Sequence, residues 1–306
     1  MTGRSVHPDP PAATLAWVSR VVGSSGPMAV RALRGGGWHA NHLLTLELPD
    51  GRQRRFVLRR WARAGWEIDD PDMTPAREAS VLDRLARIGT PTPRVVAVDP
   101  TGADADVPAL LETVLPGGTI RRPRNRTTFA DRLAEPLAWI HAVPTEPEDG
   151  TTIPYRRFYD PASLEPPTWG SDRAMWQRAI ELATRPAAAG ASGFIHRDYH
   201  PGNVLWAGPP ETPRVAGIVD WTSASIGPFA VDLGHMRWNL AAAYDRATAD
   251  RFLATAQELG LADDFTPEWD VRSTLDVLPE LRLGHDSAVS LQRTEDHVAR
   301  ALSALR

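Results

Sequence analysis

The pattern of this sequence changes once, at Pro116-Gly117-Gly118. Before that break, short strand-like runs predominate; after it, helical ones do. A chain in that order is expected to fold as α+β, with its strands in one part and its helices in another. Met28–Arg34, His42–Leu48 and Arg55–Arg60 read as three antiparallel strands, with Gly35, Gly36 and Gly37 between the first two and a turn at Pro49–Arg52. A helix follows: Thr74 can cap it, Pro75 suits its first position, and Val81, Leu82, Leu85 and Ile88 form one apolar stripe. Segments 94–99 and 107–114 add two strands. The expected division is an N-terminal lobe over 1–113, with a five-stranded antiparallel sheet and one principal helix, and a mainly helical lobe over 114–306.

The second part is less regular. A helix over about 128–142 contains Pro136, which should kink or split it. Residues 144–170 are proline-rich and read as an irregular loop, and Ser171–Thr184 reads as a helix. Short strands near 203–207 and 214–220 flank a turn, and helices are expected at 230–245, 248–260, 267–283 and 286–305. The first 13 residues read as a loose tail.

Composition removes several classes. There is no cysteine, which excludes disulfides, thiolate metal sites and a cysteine nucleophile. The formal net charge of −4 argues against a general nucleic-acid binder. No apolar run reaches the roughly 20 residues of a membrane span, and the N-terminus lacks a signal-peptide core. A cytoplasmic protein is expected. All 34 basic residues are arginine, so any chemistry that ordinarily uses lysine must be done otherwise here.

The densest polar cluster is His196-Arg197-Asp198-Tyr199-His200-Pro201-Gly202-Asn203, followed by a short apolar strand. A second strand runs into Asp220-Trp221. A carboxylate at the end of a buried strand is costly unless it serves something. Asp198 can accept a proton from a hydroxyl. The Asn203 oxygen and the Asp220 carboxylate are hard ligands suited to magnesium. Those are the parts of a phosphoryl-transfer site. His196, Asp198 and His200 could instead ligate zinc in a hydrolase, but His-x-x-x-His suits zinc only on a helix, and Pro201-Gly202 points to a loop.

HRDYHPGN followed by GIVDW resembles the catalytic loop and metal-binding strand of the aminoglycoside phosphotransferase family of kinase-like enzymes. LRGGGWHAN, FVLRR, REASVLDRL, LLETVLPGG, PLAWIHAVP and ASIGPFAVDLGHMRW resemble its other segments in the family's order, over most of the chain. The resemblance implies a two-lobed protein-kinase-like fold, with nucleotide bound between the lobes. It implies Asp198 as base, Asn203 and Asp220 as magnesium ligands, and Asp232 as support for the catalytic loop. Glu78 would pair with the basic residue of the third strand. Gly35, Gly36 and Gly37 would cover the phosphates, and Glu112 and Val114 would offer backbone groups to the nucleobase. His196 would be structural.

One departure concerns the third strand, where the family often has lysine. Alternation puts Val57 and Arg59 on one face and Phe56, Leu58 and Arg60 on the other. An apolar residue two positions before the basic one would line the nucleobase pocket, which selects Arg59. Only 11 residues separate Asp220 from Asp232, too few for a phosphorylated activation segment.

The implied activity is an ATP- or GTP-dependent, Mg2+-dependent O-phosphotransferase acting on a hydroxylated small molecule, as a monomer or homodimer, without nucleic-acid or membrane partners. The acceptor could be an antibiotic, such as an aminoglycoside or macrolide, or a metabolite, such as choline or homoserine. Asp263, Asp264, Glu268, Asp270 and Glu280 could make an acidic pocket for a cationic acceptor, and tryptophans such as Trp169 and Trp238 could face an apolar one. A kinase fold that binds without turnover is the other reading, motivated by the missing lysine.

Overall fold

The structure is a computed structural model that describes residues 8–24, 26–33, 39–48, 50–66, 71–145, 153–282 and 286–305. Gly35, Gly36 and Gly37 lie outside the described residues. The chain forms two compact units, Met1–Gly117 with Ala216–Ser223, and Gly118–Val215 with Ala224–Arg306. The short returning segment around Asp220 thus belongs to the first unit.

In the first unit, α1 (Ala12–Val22) precedes β1 (Met28–Ala32), β2 (Ala40–Glu47) and β3 (Gln53–Arg60). Then come α2 (Pro75–Arg87), β4 (Val95–Asp99) and β5 (Ala109–Thr113). The strands form one antiparallel sheet in the order β1-β2-β3-β5-β4, the five-stranded sheet expected from the sequence. α1 replaces part of the expected loose tail. It closes on Gly23 at φ 66°, where both Gly23 and Ser24 return backbone N–H bonds to the last turn.

Register divides the sheet. Leu43 faces Val57, Val57 faces Glu112 and Arg59 faces Leu110, so these side chains share one face. On the other face Leu44, Leu46, Phe56, Leu58 and Leu111 pack with Trp17 and Val18 of α1. Each such fully buried side chain is worth about 1.5–3 kcal/mol over its exposed state. The polar face is thereby left to α2 and the returning segment, which carries β8 (Arg214–Ile218) into Asp220.

The second unit holds α3 (Arg126–His141), α4 (Arg173–Thr184), β6 (Ser192–Ile195), β7 (Val204–Ala207) and β9 (Ser225–Pro228). It ends with α5 (Ala230–Ala243), α6 (Arg246–Glu258), α7 (Pro267–Leu275) and α8 (Ala288–Ala304). Pro136 lies within α3, which runs unbroken. The helix expected over 267–283 stops at Leu275 and is followed by a single 3-10 turn at Leu278–Glu280. β6 and β9 pair antiparallel, so Ile195 meets Ser225. Met175, Trp176 and Ala179 of α4 pack with Val271, Leu275 and Val298 to form a helical core. No helix among the described residues is long and apolar enough to cross a membrane.

Candidate active site

The residues singled out from the sequence fall into two groups, one in each unit. In the first, Thr74 caps α2 by accepting from the Arg77 N–H, and Pro75 sits at its start. That puts Glu78 in the first turn, buried, facing β3. Arg59 Nε donates to Glu78 Oε2 at 3.1 Å, and its Nη2 donates to Asp220 Oδ1 at 2.6 Å and Thr222 Oγ1 at 2.9 Å. The Thr222 hydroxyl lies 2.9 Å from Glu78 Oε2 and 3.0 Å from Asp220 Oδ1. The Trp221 N–H donates to Glu78 Oε1 at 3.1 Å. One guanidinium thus ties the α2 carboxylate to the returning segment.

That segment is held by its backbone. The Ile218 N–H donates to the Pro91 carbonyl at 3.1 Å. A Cβ on Gly217 would lie 2.3 Å from the same oxygen, so only glycine permits the approach. Asp220 then takes φ 65°, an unusual conformation for a non-glycine residue at a site whose hydrogen bonds over-determine it.

The electrostatics follow from crowding. Burial raises the Glu78 carboxyl above its ordinary value, with Arg59 opposing. Glu112 is pushed up to about 8 by burial, with Arg59 opposing and Glu78 and Asp220 adding to the rise. It lies inside β5 and pairs with Val57 and Val95, so its backbone belongs to the sheet. Val114 directly follows β5.

In the second unit, β6 delivers His196 and Arg197, whose backbone N–H groups donate to Asp232 at 3.0 and 2.7 Å. His141 Nε2 lies 3.2 Å from the same carboxylate. Arg197 takes φ 70°, with its guanidinium 3.8 Å from the centre of the Phe158 ring. Tyr199 is buried and donates to the Leu133 carbonyl at 2.7 Å. The loop is therefore pinned on both sides of Asp198.

The Asp198 side chain keeps 32% of its surface accessible. Asn203 Nδ2 donates to its Oδ2 at 3.0 Å and to its backbone carbonyl at 2.9 Å. His235 Nε2 lies 3.1 Å from Oδ1, and His200 Nε2 lies 3.8 Å from Oδ2. The protein around Asp198 disfavours its charged form, yet His200 and His235 more than offset this and hold the carboxyl below its ordinary range.

Asn203 spends its amide nitrogen on Asp198 and keeps its amide oxygen as an acceptor, which suits a hard cation. Asp220 adds a carboxylate. Each residue offers, within its own unit, the hard oxygen type that magnesium takes. Among the described residues no group of three His, Asp or Glu side chains comes together as a metal site.

The expected acidic pocket is mostly spent internally. Glu268 pairs with Arg272, and Asp270 with Arg237 at 2.7 Å. Asp264 accepts from the Ala191 N–H. Glu280 is close enough to Asp198 and His235 to feel their charge, and it accepts from the Tyr159 hydroxyl at 3.3 Å. Trp169 donates to the Leu281 carbonyl, and Trp238 lies 5.8 Å from His235 between ring centroids. Sequence reasoning missed Thr222, His235 and Asp276. Asp276 is a buried carboxyl raised by burial that accepts from the Phe158 N–H at 2.7 Å. For His235 a signal existed, since it stands three residues after Asp232 on one helix.

Residues 31–272 match the phosphotransferase enzyme family. The chain belongs to this family. Within it, the chain is 26% identical over 230 residues to N-acetylmuramate/N-acetylglucosamine kinase of Caulobacter vibrioides, covering 62% of this chain. The match spans 63% of that kinase's length. It is 28% identical over 211 residues to viomycin phosphotransferase of Streptomyces vinaceus, covering 64% of this chain and 71% of that one. A thermostable mutant of aminoglycoside phosphotransferase APH(4)-Ia superposes with TM-score 0.62 at 16% identity, over 94% of this chain and 99% of that one. A putative aminoglycoside phosphotransferase from Ralstonia eutropha JMP134 superposes with TM-score 0.59 at 16% identity, over 95% and 97%. These likenesses establish the kinase-like α+β fold.

Proposed function

We propose that this chain transfers the γ-phosphoryl group of ATP, or of GTP, to a hydroxyl of a small molecule. The observation that carries this reading is Asp198, an ionised, partly accessible carboxylate held by the Asn203 amide on a loop pinned to Asp232. Asp198 orients the acceptor hydroxyl and takes its proton as the new O–P bond forms. The bond between the γ-phosphorus and its bridging oxygen breaks, and the nucleoside diphosphate leaves. Asn203 and Asp220 would hold Mg2+, which supplies charge neutralisation on the phosphates when bound. Arg59 engages Glu78 through Nε and Asp220 and Thr222 through Nη2, so its part in this reading is to orient the Asp220 carboxylate, with a wider and more rigid donor than lysine. Positioning and electrostatics supply the rate, with no covalent intermediate on the chain. A nucleotide donor and a chain without cysteine fit a cytoplasmic setting.

The acceptor class is set by few groups. With most acidic residues paired internally, Glu280 feels the charges of Asp198 and His235 and Asp276 that of His235, and both carboxyls are raised by burial. The relatives named above point to N-acetylmuramate, N-acetylglucosamine and viomycin as first acceptors to try. Aminoglycosides, macrolides and hydroxylated metabolites complete the panel. The test is turnover with ATP or GTP and Mg2+ against that panel, with products read by mass. A product carrying one added phosphate is expected. Nucleotide binding with no phosphorylated product from any acceptor would favour a fold that binds without turnover, the consequence of arginine in place of lysine.

A further inference from the structure

We propose that His235 is a positioning residue for the base: its Nε2–H donates to Asp198 Oδ1 and, with Asn203 on Oδ2, fixes the plane of the carboxylate. This rests on the reading of Asp198 as the base.

The first argument is geometric. The terminal torsion of an aspartate is broad, so one hydrogen bond does not hold it. Here each oxygen has its own donor, His235 Nε2 at 3.1 Å on Oδ1 and Asn203 Nδ2 at 3.0 Å on Oδ2. Two donors on opposite oxygens stop the carboxylate turning. Each oxygen keeps a second acceptor direction, and the accessible part of the side chain can meet a hydroxyl.

The second concerns rigidity. Asn203 sits on the same loop as Asp198 and moves with it. His235 belongs to α5, as does Asp232, which holds the loop backbone through His196 and Arg197. The two side chains lie three residues apart, on one side of the helix. One rigid element therefore sets both the path of the loop and the angle of its carboxylate. The Asn239 side chain donates to the His235 carbonyl at 3.0 Å, and the His200 and Trp238 rings flank the imidazole at 5.9 and 5.8 Å between centroids.

The third is the cost of the arrangement. His235 is 5% exposed, and a buried imidazole needs partners. An ionised carboxylate only accepts, so the proton on the imidazole must sit at Nε2. The contact defines one tautomer. A helix that needed only packing here would carry an apolar residue.

The experiment uses the full chain and two readouts. Steady-state transfer from ATP to whichever acceptor of the panel turns over, or ATP hydrolysis where none does, is compared for wild type, His235→Ala, His235→Gln and Asp198→Asn. His235→Ala is expected to lose about 100-fold in kcat, the scale of a misplaced reacting group, with KM for ATP unchanged. His235→Gln, which keeps a donor, is expected to recover part of that loss. The imidazole proton–nitrogen spectrum of the resting protein is the second readout. It should show His235 protonated at Nε2, with that signal displaced in Asp198→Ala. Wild-type kcat in His235→Ala beside an inactive Asp198→Asn would overturn the positioning role and leave the base in place. Full activity in Asp198→Asn would instead remove the base itself. An equal kcat loss in His235→Ala and His235→Gln overturns the proposal, as does an imidazole signal indifferent to Asp198. The spectrum decides the matter even if His235→Ala fails to fold.

Discussion

Arg59 Nη2 donates to Asp220 Oδ1 at 2.6 Å while the same guanidinium reaches Glu78 through Nε. The Glu78 contact is removed from water, with Arg59 and Glu78 side chains 5% and 1% accessible, while Asp220 keeps 22%. Removing one partner of such a pair strands the other charge, at about 3–5 kcal/mol. Arg59→Ala is therefore expected to lose stability on that scale in denaturant unfolding. Arg59→Lys keeps the charge but has a single ammonium, which cannot reproduce the fork. It should fall between wild type and Arg59→Ala in stability. Equal unfolding midpoints for all three proteins would mean that the triad carries no net stability.

Glu112 shares the sheet face with Arg59 and has no hydrogen-bond or ion-pair partner among the described residues. Burial lifts its carboxyl from 4.5 to about 8, so it is neutral at pH 7 in the folded chain. A raised folded value makes the folded state bind more protons than the unfolded one. The stability Glu112 contributes is thus full below about pH 4.5 and falls as pH rises through about 8. Glu112→Gln is neutral at every pH. Melting curves should show the variant gaining on wild type as pH is raised from 5 to 9, at roughly 2–4 °C per kcal/mol for a chain of this size. Parallel curves across that range would mean that Glu112 is ionised in the folded protein.

The sheet and the long helices were legible in the sequence because their cause is local. Alternation along β3 separates Arg59 from Arg60, and the structure sends Arg60 the other way, to Asp106 at 2.8 Å and the Pro8 carbonyl at 3.0 Å. α1 was not legible, because the prolines before it mask its start and its burial rests on Trp17 and Val18 meeting a sheet formed later in the chain. β6 and β9 are four residues each, and 29 residues lie between them, so only pairing in space defines them. The candidate site divides the same way. Asp198 and Asn203 stand in one short run. The contact from Arg59 to Asp220 spans 161 positions and was not legible; the family resemblance suggested only Glu78 as a partner for Arg59. The acidic C-terminal residues misled because sequence shows charges without their partners. Glu268 and Asp270 belong to Arg272 and Arg237.

Asp270 is the clearest of those internal pairs. Burial disfavours its charge, but His297 and Arg237 more than offset this and hold the carboxyl at about 2, below its ordinary 3.8. A depressed folded value gives stability that is present above about pH 4 and is lost as pH falls through about 2, worth roughly 2 kcal/mol. Wild type should lose stability over that window. Asp270→Asn should lack that part of the slope and start lower at pH 7, because the buried Arg237 keeps its charge and loses its closer carboxylate, with only Asp250 left at 3.4 Å. Identical acid-unfolding midpoints for the two proteins would contradict the pair's role.

Asp232 makes the last test, because it acts on the loop through backbone alone. Its two oxygens accept the His196 and Arg197 N–H groups at 3.0 and 2.7 Å, and all three residues are buried. Asparagine has the same shape, but one of its two heads is a donor. In Asp232→Asn one of the loop N–H groups must face an amide NH2, or lose its bond as the side chain turns. An unsatisfied buried donor costs about 1–3 kcal/mol, and here it sits one or two residues from Asp198. Under the proposed function, Asp232→Asn should therefore lower the melting temperature and also reduce kcat more than KM for ATP, since Asp232 contacts only the loop and His141 of its own unit. A variant that melts lower but turns over at the wild-type rate would mean that the loop keeps its shape without this carboxylate. The positioning of Asp198 would then rest on Asn203 and His235.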